Sequence, residues 1–213
     1  MYSYTASGSI WYRHFLRFMG LDPAAIQWWI GDIDTAWSSA PMTQTLPAGV
    51  NTAPPGRSLS DLLITGELEA IYSPPRPQAY HPETGPIARL FPDFRSIEQE
   101  YFRKTGAFPP QHLVVIRREV WEANRWIAKS LTEAFIAANE CFTAAQRGFP
   151  YATPWLEAEL EQTVAVMGED FHPYGLEQNR VQIDMFADEA FRLGLTSRQV
   201  TTEDYFADYL RGG

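Results

Sequence analysis

The chain has 213 residues, with 45% hydrophobic and 20% charged residues, which is the composition of an ordinary globular protein. Its formal net charge of −9 argues against a nucleic-acid partner, because phosphates favour a basic surface, and no apolar run approaches the ~18–20 residues of a membrane span. The single Cys141 excludes a disulfide framework and a cysteine metal cluster, and the spacing of the four histidines does not suggest a metal site.

The first half of the chain predicts alternating helices and strands. Apolar residues share one face of a helix that begins near Thr5, and Gly20 ends it. Further predicted elements are a strand at 25–31, a loop rich in Pro, Ser, Thr and Gly at 38–57, a helix at 58–65, a strand at 70–72 and an irregular segment at 74–86.

The second half is mainly helical, after one short buried strand that opens with a histidine. The predicted elements are a helix at 96–106, the strand at 112–116, one or two helices within 118–147, and helices at 155–167, 175–193 and 202–209. Helices lie between most of the strands, so the pattern favours an α/β fold with parallel pairing. We assign the aromatic side chains Trp11, Trp28, Trp29, Trp126 and Trp155 to the core.

Several segments together resemble the 4,5-dihydroxyphthalate decarboxylase-like family. They are "TASGSIWYRHFL", "SLSDLLITGELEAIYS", "RLFPDFRSIEQEYFRKTGAFPPQHLVVIRREVWE", "PWLEAELEQTVAVMGEDFHPYGLEQNR" and "TTEDYF". The resemblance extends from about residue 5 to residue 206. It implies the type 2 periplasmic-binding-protein-like fold, an α/β architecture of two lobes with a ligand cleft between them.

The resemblance also implies a domain organisation. Residues 1–107 would form lobe two without its first strand. Residues 108–213 would supply a crossover strand and the C-terminal, mostly helical part of lobe one. Family members are longer than this chain, so we expect an N-terminally truncated form that lacks the first half of lobe one. Such a form would expose apolar sheet surface and an unpaired strand edge.

The start of the first helix is a candidate carboxylate site. Unpaired backbone N–H groups and the helix dipole attract an anion, and Thr5, Ser7 and Ser9 add hydroxyl donors. The alternative is ordinary capping of the helix by Ser7 or Ser9.

His112 is the candidate proton donor, because the resemblance places it on the cleft side of the crossover strand. The alternative is an ordinary core or surface histidine. Arg76 lies in the proline-rich segment expected at the cleft rim, where a guanidinium would grip a carboxylate in two parallel bonds. Tyr80 and His81 belong to the same segment and are weaker candidates.

The segment "DFHPYGLEQNR" contributes Tyr174, Asn179 and Arg180 as candidate substrate-binding residues of lobe one. The alternative is structural: Gly175 permits a turn, while Asn179 and Arg180 occupy a solvated helix face.

The resemblance implies non-oxidative decarboxylation of a hydroxylated aromatic acid such as 4,5-dihydroxyphthalate, giving protocatechuate and carbon dioxide. Neither a metal nor an organic cofactor is expected. The expected partner is a small aromatic or aliphatic carboxylate, with no nucleic acid and no membrane, and the chain could form a homo-oligomer. The expected location is the cytoplasm, or the periplasm if the full-length gene carries a signal peptide. Two alternatives stay open: a non-catalytic solute-binding protein for a small carboxylate, and an inactive truncated relative.

Overall fold

The computed structural model describes residues 1–37, 46–109, 112–148 and 154–212. In these residues the protein is mixed α/β and rich in helix, which confirms the predicted class in its coarse form. The chain divides into two compact units, Met1–Phe94 and Arg95–Gly213. The division precedes the lobe boundary expected after residue 107, and the assignment of lobes stays a prediction.

The first unit contains short helices and a small parallel sheet. Its elements are α1 (Ser7–Phe18), a 3-10 turn (Pro23–Ala25), β1 (Trp28–Ile30), β2 (Val50–Thr52) and α2 (Leu59–Ile64). Strands β1 and β2 pair in parallel, with Trp28 opposite Val50. Met1 lies along β1, because its amine donates to the Trp29 carbonyl at 2.6 Å and its carbonyl accepts from Gly31 N at 3.3 Å.

Two strand predictions in this unit are wrong. Strand β2 lies inside the segment predicted as loop, and residues 70–72 form no strand. Instead Ile71 packs against a core of Ile33, Ala53, Leu59 and Leu62. The segment therefore contributes an apolar side chain to the core although its backbone forms no hydrogen-bonded ladder with a strand.

Helix α2 begins where the sequence predicts, at a reciprocal cap. Ser58 Oγ accepts from Asp61 N at 3.0 Å, and the Asp61 carboxylate accepts from Ser58 N at 3.1 Å. These hydrogen bonds hold the pKa of Asp61 below its ordinary value. The cap orients α2 so that Leu59 and Leu62 are buried in the core.

In the residues described, the second unit is helical. Its first helix begins at Phe94, the last residue of the first unit. Its helices are α3 (Phe94–Thr105), α4 (Arg118–Ala123), α5 (Ile127–Arg147), α6 (Leu156–Met167), α7 (Leu176–Arg192), α8 (Thr202–Tyr205) and α9 (Ala207–Arg211). Glycines follow α3, α6 and α7 as predicted, and Thr201 caps α8 in a second reciprocal cap.

The buried part of this unit contains polar side chains beside apolar ones. Tyr101 of α3 and Glu189 of α7 are both buried. Burial, and then the charge of Glu189, raise the pKa of Tyr101 to about 12. The phenol therefore stays protonated throughout the physiological pH range.

The predicted buried strand at 112–116 is wrong. Residues 112–116 have no regular structure, and the side chain of Val115 is 89% exposed. A strand needs a hydrogen-bonded neighbour, and the described part of the second unit contains no strand to pair with this segment. The core assignment also fails for Trp126 and Trp155, which are 64% and 81% exposed, whereas Trp11 is buried.

In the described ranges, no helix combines the length and the apolar character that crossing a membrane requires.

Gly31 gives a test of the core of the first unit. A Cβ added at Gly31 would lie 2.7 Å from Ala53 Cβ and 3.3 Å from Leu59. We expect Gly31→Ala to lower the free energy of unfolding by about 1–3 kcal/mol, because overpacking forces neighbours to shift.

Urea denaturation measures this change, and Gly148→Ala is the control. The Cβ added at Gly148 meets only carbonyl oxygens at 3.5 Å, so its change should stay within about 0.5 kcal/mol. Equal stability of the wild type and Gly31→Ala would contradict the packing described.

Candidate functional site

A buried arginine positions the start of α1. The Arg13 side chain is fully buried, and its guanidinium carbon lies 3.9 Å from the centroid of the Tyr4 ring. Its Nε donates to the Ser9 carbonyl at 3.0 Å, and its Nη2 donates to the Tyr4 carbonyl at 2.5 Å. These bonds hold the segment before α1 against the helix itself.

The first turn of α1 presents backbone donors. Ser9 N and Ile10 N both donate to the Ala6 carbonyl, whereas the N–H groups of Ser7 and Gly8 donate to no acceptor within the described part of the chain. Two such N–H groups at the positive end of a helix dipole suit a carboxylate.

The predicted hydroxyl donors at this helix start fall into two groups. Thr5 and Ser7 are exposed, whereas Ser9 is buried and its hydroxyl donates to the Ser3 carbonyl at 2.5 Å. The alternative prediction of a cap by Ser7 or Ser9 is wrong, because the N-cap residue is Ala6 and no side chain caps the helix.

A phenol that the sequence reasoning missed lies over the same turn. The Tyr72 ring stacks on the Tyr12 ring with centroids 4.4 Å apart, and a Cβ added at Gly8 would lie 2.7 Å from the Tyr72 hydroxyl oxygen. Burial is the first cause that raises the pKa of both phenols, so both remain protonated hydrogen-bond donors near neutral pH. The signal in the sequence was Gly8, since glycine allows this close approach.

Arg76 belongs to the same unit as this helix start. Arg76 is four positions after Tyr72 in the sequence, which limits the distance between their Cα atoms to roughly 14 Å. Its side chain is exposed, and its guanidinium carbon lies 6.0 Å from the centroid of the Tyr80 ring. His81 stabilises the local turn, because its Nδ1 accepts from Glu83 N and Thr84 N, each at 3.2 Å.

The second unit holds the other predicted site residues. His112 is exposed and lies in the segment 112–116, which has no regular structure. A second imidazole, which the sequence reasoning left without a role, is held in a more defined setting. The His172 ring meets the Phe108 ring edge-on at 5.3 Å, and the His172 carbonyl accepts from Asn139 Nδ2 at 3.1 Å. The signal in the sequence was the "DFHPYG" loop that contains it.

A buried glutamine connects the segments around His172. Gln182 Oε1 accepts from Phe108 N at 3.0 Å, and its Nε2 donates to Asn179 Oδ1. Asn179 Nδ2 in turn donates to the carbonyls of Pro173 at 2.8 Å and Gly175 at 2.7 Å. Asn179 thus holds the loop that carries His172.

The other two predicted residues of this loop and helix also have partners. The Tyr174 ring stacks on Phe135 with centroids 6.1 Å apart. Arg180 forms ion pairs with Glu177 at 2.9 Å and with Glu203, and hydrogen bonding to Glu177 is the first cause that raises its pKa. Gly175 has a φ of 100°, which confirms the predicted turn.

The predicted residues therefore separate by unit. Thr5, Ser7, Ser9 and Arg76 lie in the first, and His112, Tyr174, Asn179 and Arg180 lie in the second. Their role in substrate binding or catalysis stays a prediction. Among the residues that the structure describes, no group of three or more His, Cys, Asp or Glu side chains could hold a metal ion.

Comparison with known proteins supports a distant relationship to a decarboxylase. The chain is 28% identical over 213 aligned residues to a curated protein named 4,5-dihydroxyphthalate decarboxylase from Comamonas testosteroni. The alignment covers 95% of this chain and 63% of the relative, so the chain spans less than two thirds of that protein's length. No family model matches the chain.

The contact between Gly8 and Tyr72 can be tested with a double-mutant cycle. We expect Gly8→Ala to destabilise the wild type by about 1–3 kcal/mol, because the new methyl group displaces the Tyr72 hydroxyl. In a Tyr72→Phe background the clash is gone, and the same change should be neutral or stabilising by about 0.5–1 kcal/mol through helix propensity.

Urea denaturation of the four proteins measures the coupling between the two positions. An identical effect of Gly8→Ala in both backgrounds would contradict the close approach of the phenol.

Gln182 gives a second test. We expect Gln182→Ala to lower the free energy of unfolding by about 1–3 kcal/mol, because Phe108 N and Asn179 Oδ1 lose their partner in a buried setting. The control is Gln178→Ala on the same helix, where the side chain is exposed and the change should be under about 0.5 kcal/mol. Equal effects of the two substitutions, measured by urea denaturation, would contradict the network.

Proposed function

We propose that this chain carries out non-oxidative decarboxylation of a hydroxylated aromatic acid such as 4,5-dihydroxyphthalate, as a carboxy-lyase. The observation that carries the proposal is the similarity to the curated decarboxylase along 95% of the chain. The proposal includes the type 2 periplasmic-binding-protein-like fold, with residues 1–107 in lobe two and 108–213 in lobe one. Cytoplasmic location belongs to the same proposal.

The reaction replaces a carboxylate on the ring by a proton. A hydroxyl para to the departing carboxylate supplies electron density to the ring carbon, and a general acid delivers a proton to that carbon. The bond between the ring and the carboxylate then breaks, carbon dioxide leaves, and aromaticity returns. The protein must therefore hold an anionic substrate and provide a proton donor near neutral pH.

The first unit has groups suited to holding the anion. The N–H groups of Ser7 and Gly8 can donate to one carboxylate, and the protonated Tyr72 phenol lies over the same turn. The exposed guanidinium of Arg76 can bind a carboxylate through two parallel hydrogen bonds. These groups are donors, which is what an acceptor-only carboxylate requires.

The second unit supplies two candidate proton donors. His112 is the donor that the resemblance implies, and its exposure leaves it accessible to a substrate. His172 is the alternative, because the packing of its ring on Phe108 and the bonding of its loop by Asn179 fix its position. A general acid of this kind contributes about 10²–10⁴-fold to a rate.

The proposal is tested by measuring carbon dioxide release from 4,5-dihydroxyphthalate by the purified protein and by His112→Gln and His172→Gln. We expect one substitution to lower kcat by about 10²–10⁴-fold and the other to leave it within a few fold, so each variant serves as the control for the other. If the wild type binds the diacid without releasing carbon dioxide, the chain is a solute-binding protein and the decarboxylase proposal is wrong. If both variants keep the full rate, neither histidine is the proton donor.

A further inference from the structure

We propose that Arg76 and Arg89 together form a binding site for a small dicarboxylate, beside the Tyr80 ring that both guanidiniums approach. The guanidinium carbon of Arg76 lies 6.0 Å from the centroid of the Tyr80 ring, and that of Arg89 lies 5.8 Å from the same centroid. The two guanidinium carbons are therefore at most about 12 Å apart. The proposal places both cations on one side of the ring, where one small molecule contacts both. The substrate identity rests on the proposed function, whereas the binding site rests on this geometry.

Arg76 and Arg89 differ from the other arginines of the first unit in their partners. Residues 1–94 contain five arginines and no lysine. In the described part of this unit, Arg76 and Arg89 have no carboxylate within ion-pair distance, although the chain as a whole carries a net charge of −9. The other three arginines have partners. Arg13 donates hydrogen bonds to backbone carbonyls, Arg17 forms an ion pair with Asp22, and Arg57 forms an ion pair with Glu67.

The segment that carries the two arginines is held in shape by its own contacts. Tyr80 and Ile87 form an isolated bridge, which brings the two ends of the intervening turn together. Gly85 is required inside this turn, because an added Cβ would lie 2.4 Å from His81 N. The side chain of Asp34 accepts from Gln78 N at 3.0 Å and so ties the segment to the loop that follows β1.

The side chain of Arg89 is further restricted by a second ring. Its guanidinium carbon lies 4.3 Å from the centroid of the Phe94 ring, in addition to its contact with Tyr80. A guanidinium that faces an aromatic ring keeps the N–H groups around its planar edge available for hydrogen bonds. Because less side-chain freedom remains to be lost on binding, this arrangement favours a tight complex.

The chemistry of the pair selects the ligand class. Each guanidinium can bind one carboxylate through two parallel N–H donors, so two of them match a ligand with two carboxylates. A monocarboxylate can satisfy one guanidinium and leaves the second hydrated. We therefore expect a dicarboxylate to bind more tightly than the matching monocarboxylate.

The experiment measures binding of phthalate and benzoate by isothermal titration calorimetry. Phthalate lacks the ring hydroxyls that assist decarboxylation, so binding is separated from reaction. We expect the wild type to prefer phthalate, and Arg89→Gln and Arg76→Gln each to weaken phthalate binding by about 10- to 100-fold with little effect on benzoate. Arg89→Lys, which keeps the charge but not the paired donors, should show an intermediate loss.

Arg57→Gln is the matched control, because it removes an arginine of the same unit that is already paired with Glu67. Its phthalate affinity should equal that of the wild type. All three arginines are at the surface, and circular dichroism confirms that each variant is folded. Unchanged phthalate binding in Arg89→Gln, or a wild type that does not bind phthalate, overturns the site.

The outcomes also separate this site from the proposed activity. If phthalate binding depends on both arginines while no carbon dioxide is released from 4,5-dihydroxyphthalate, the site is supported and the decarboxylase proposal fails. If carbon dioxide is released while Arg89→Gln keeps both the wild-type KM and the wild-type affinity for phthalate, the activity is supported and the two-arginine site is wrong.

Discussion

The buried guanidinium of Arg13 is the constraint on which the first unit depends. Its hydrogen bonds to the carbonyls of Tyr4 and Ser9, and its position over the Tyr4 ring, hold residues 1–6 against α1. That arrangement places Met1 beside β1, where its amine donates to Trp29. A buried charge costs free energy unless it is hydrogen-bonded, so the backbone around Arg13 has little freedom to move.

The exposed donors of the first unit follow from this fixed turn. The Ser9 hydroxyl donates to the Ser3 carbonyl, and the N–H groups of Ser7 and Gly8 donate to no acceptor within the described part of the chain. Tyr72 approaches Gly8 closely because no side chain intervenes. In the second unit the buried Gln182 has an equivalent role. Its side-chain amide bonds to Phe108 N and to Asn179, and Asn179 in turn holds the loop that carries His172. In both arrangements a buried polar side chain holds neighbouring segments in place through its hydrogen bonds.

Most helices could be predicted because their signals are local. The caps at Ser58 and Thr201 are formed by residues three apart in the sequence, and the glycines after α3, α6 and α7 end those helices. The strands were predicted less well, because a strand exists only with its neighbour. Residues 112–116 have the composition of a buried strand, but the described part of the second unit contains no strand to pair with them. Strand β2, by contrast, lies in a segment whose composition is typical of a loop, and it pairs with β1.

The sequence by itself determined most of the helices, the irregular proline-rich segment that contains Arg76, and the Gly175 turn. It also carried the resemblance that the decarboxylase relative supports at 28% identity. Only the tertiary structure decided that Ser9 is buried, that Tyr72 lies over Gly8, and that Arg89 shares the ring of Tyr80 with Arg76. The physical reason is range: helix periodicity and caps act within a few residues, whereas burial and the approach of distant side chains depend on how the whole unit packs.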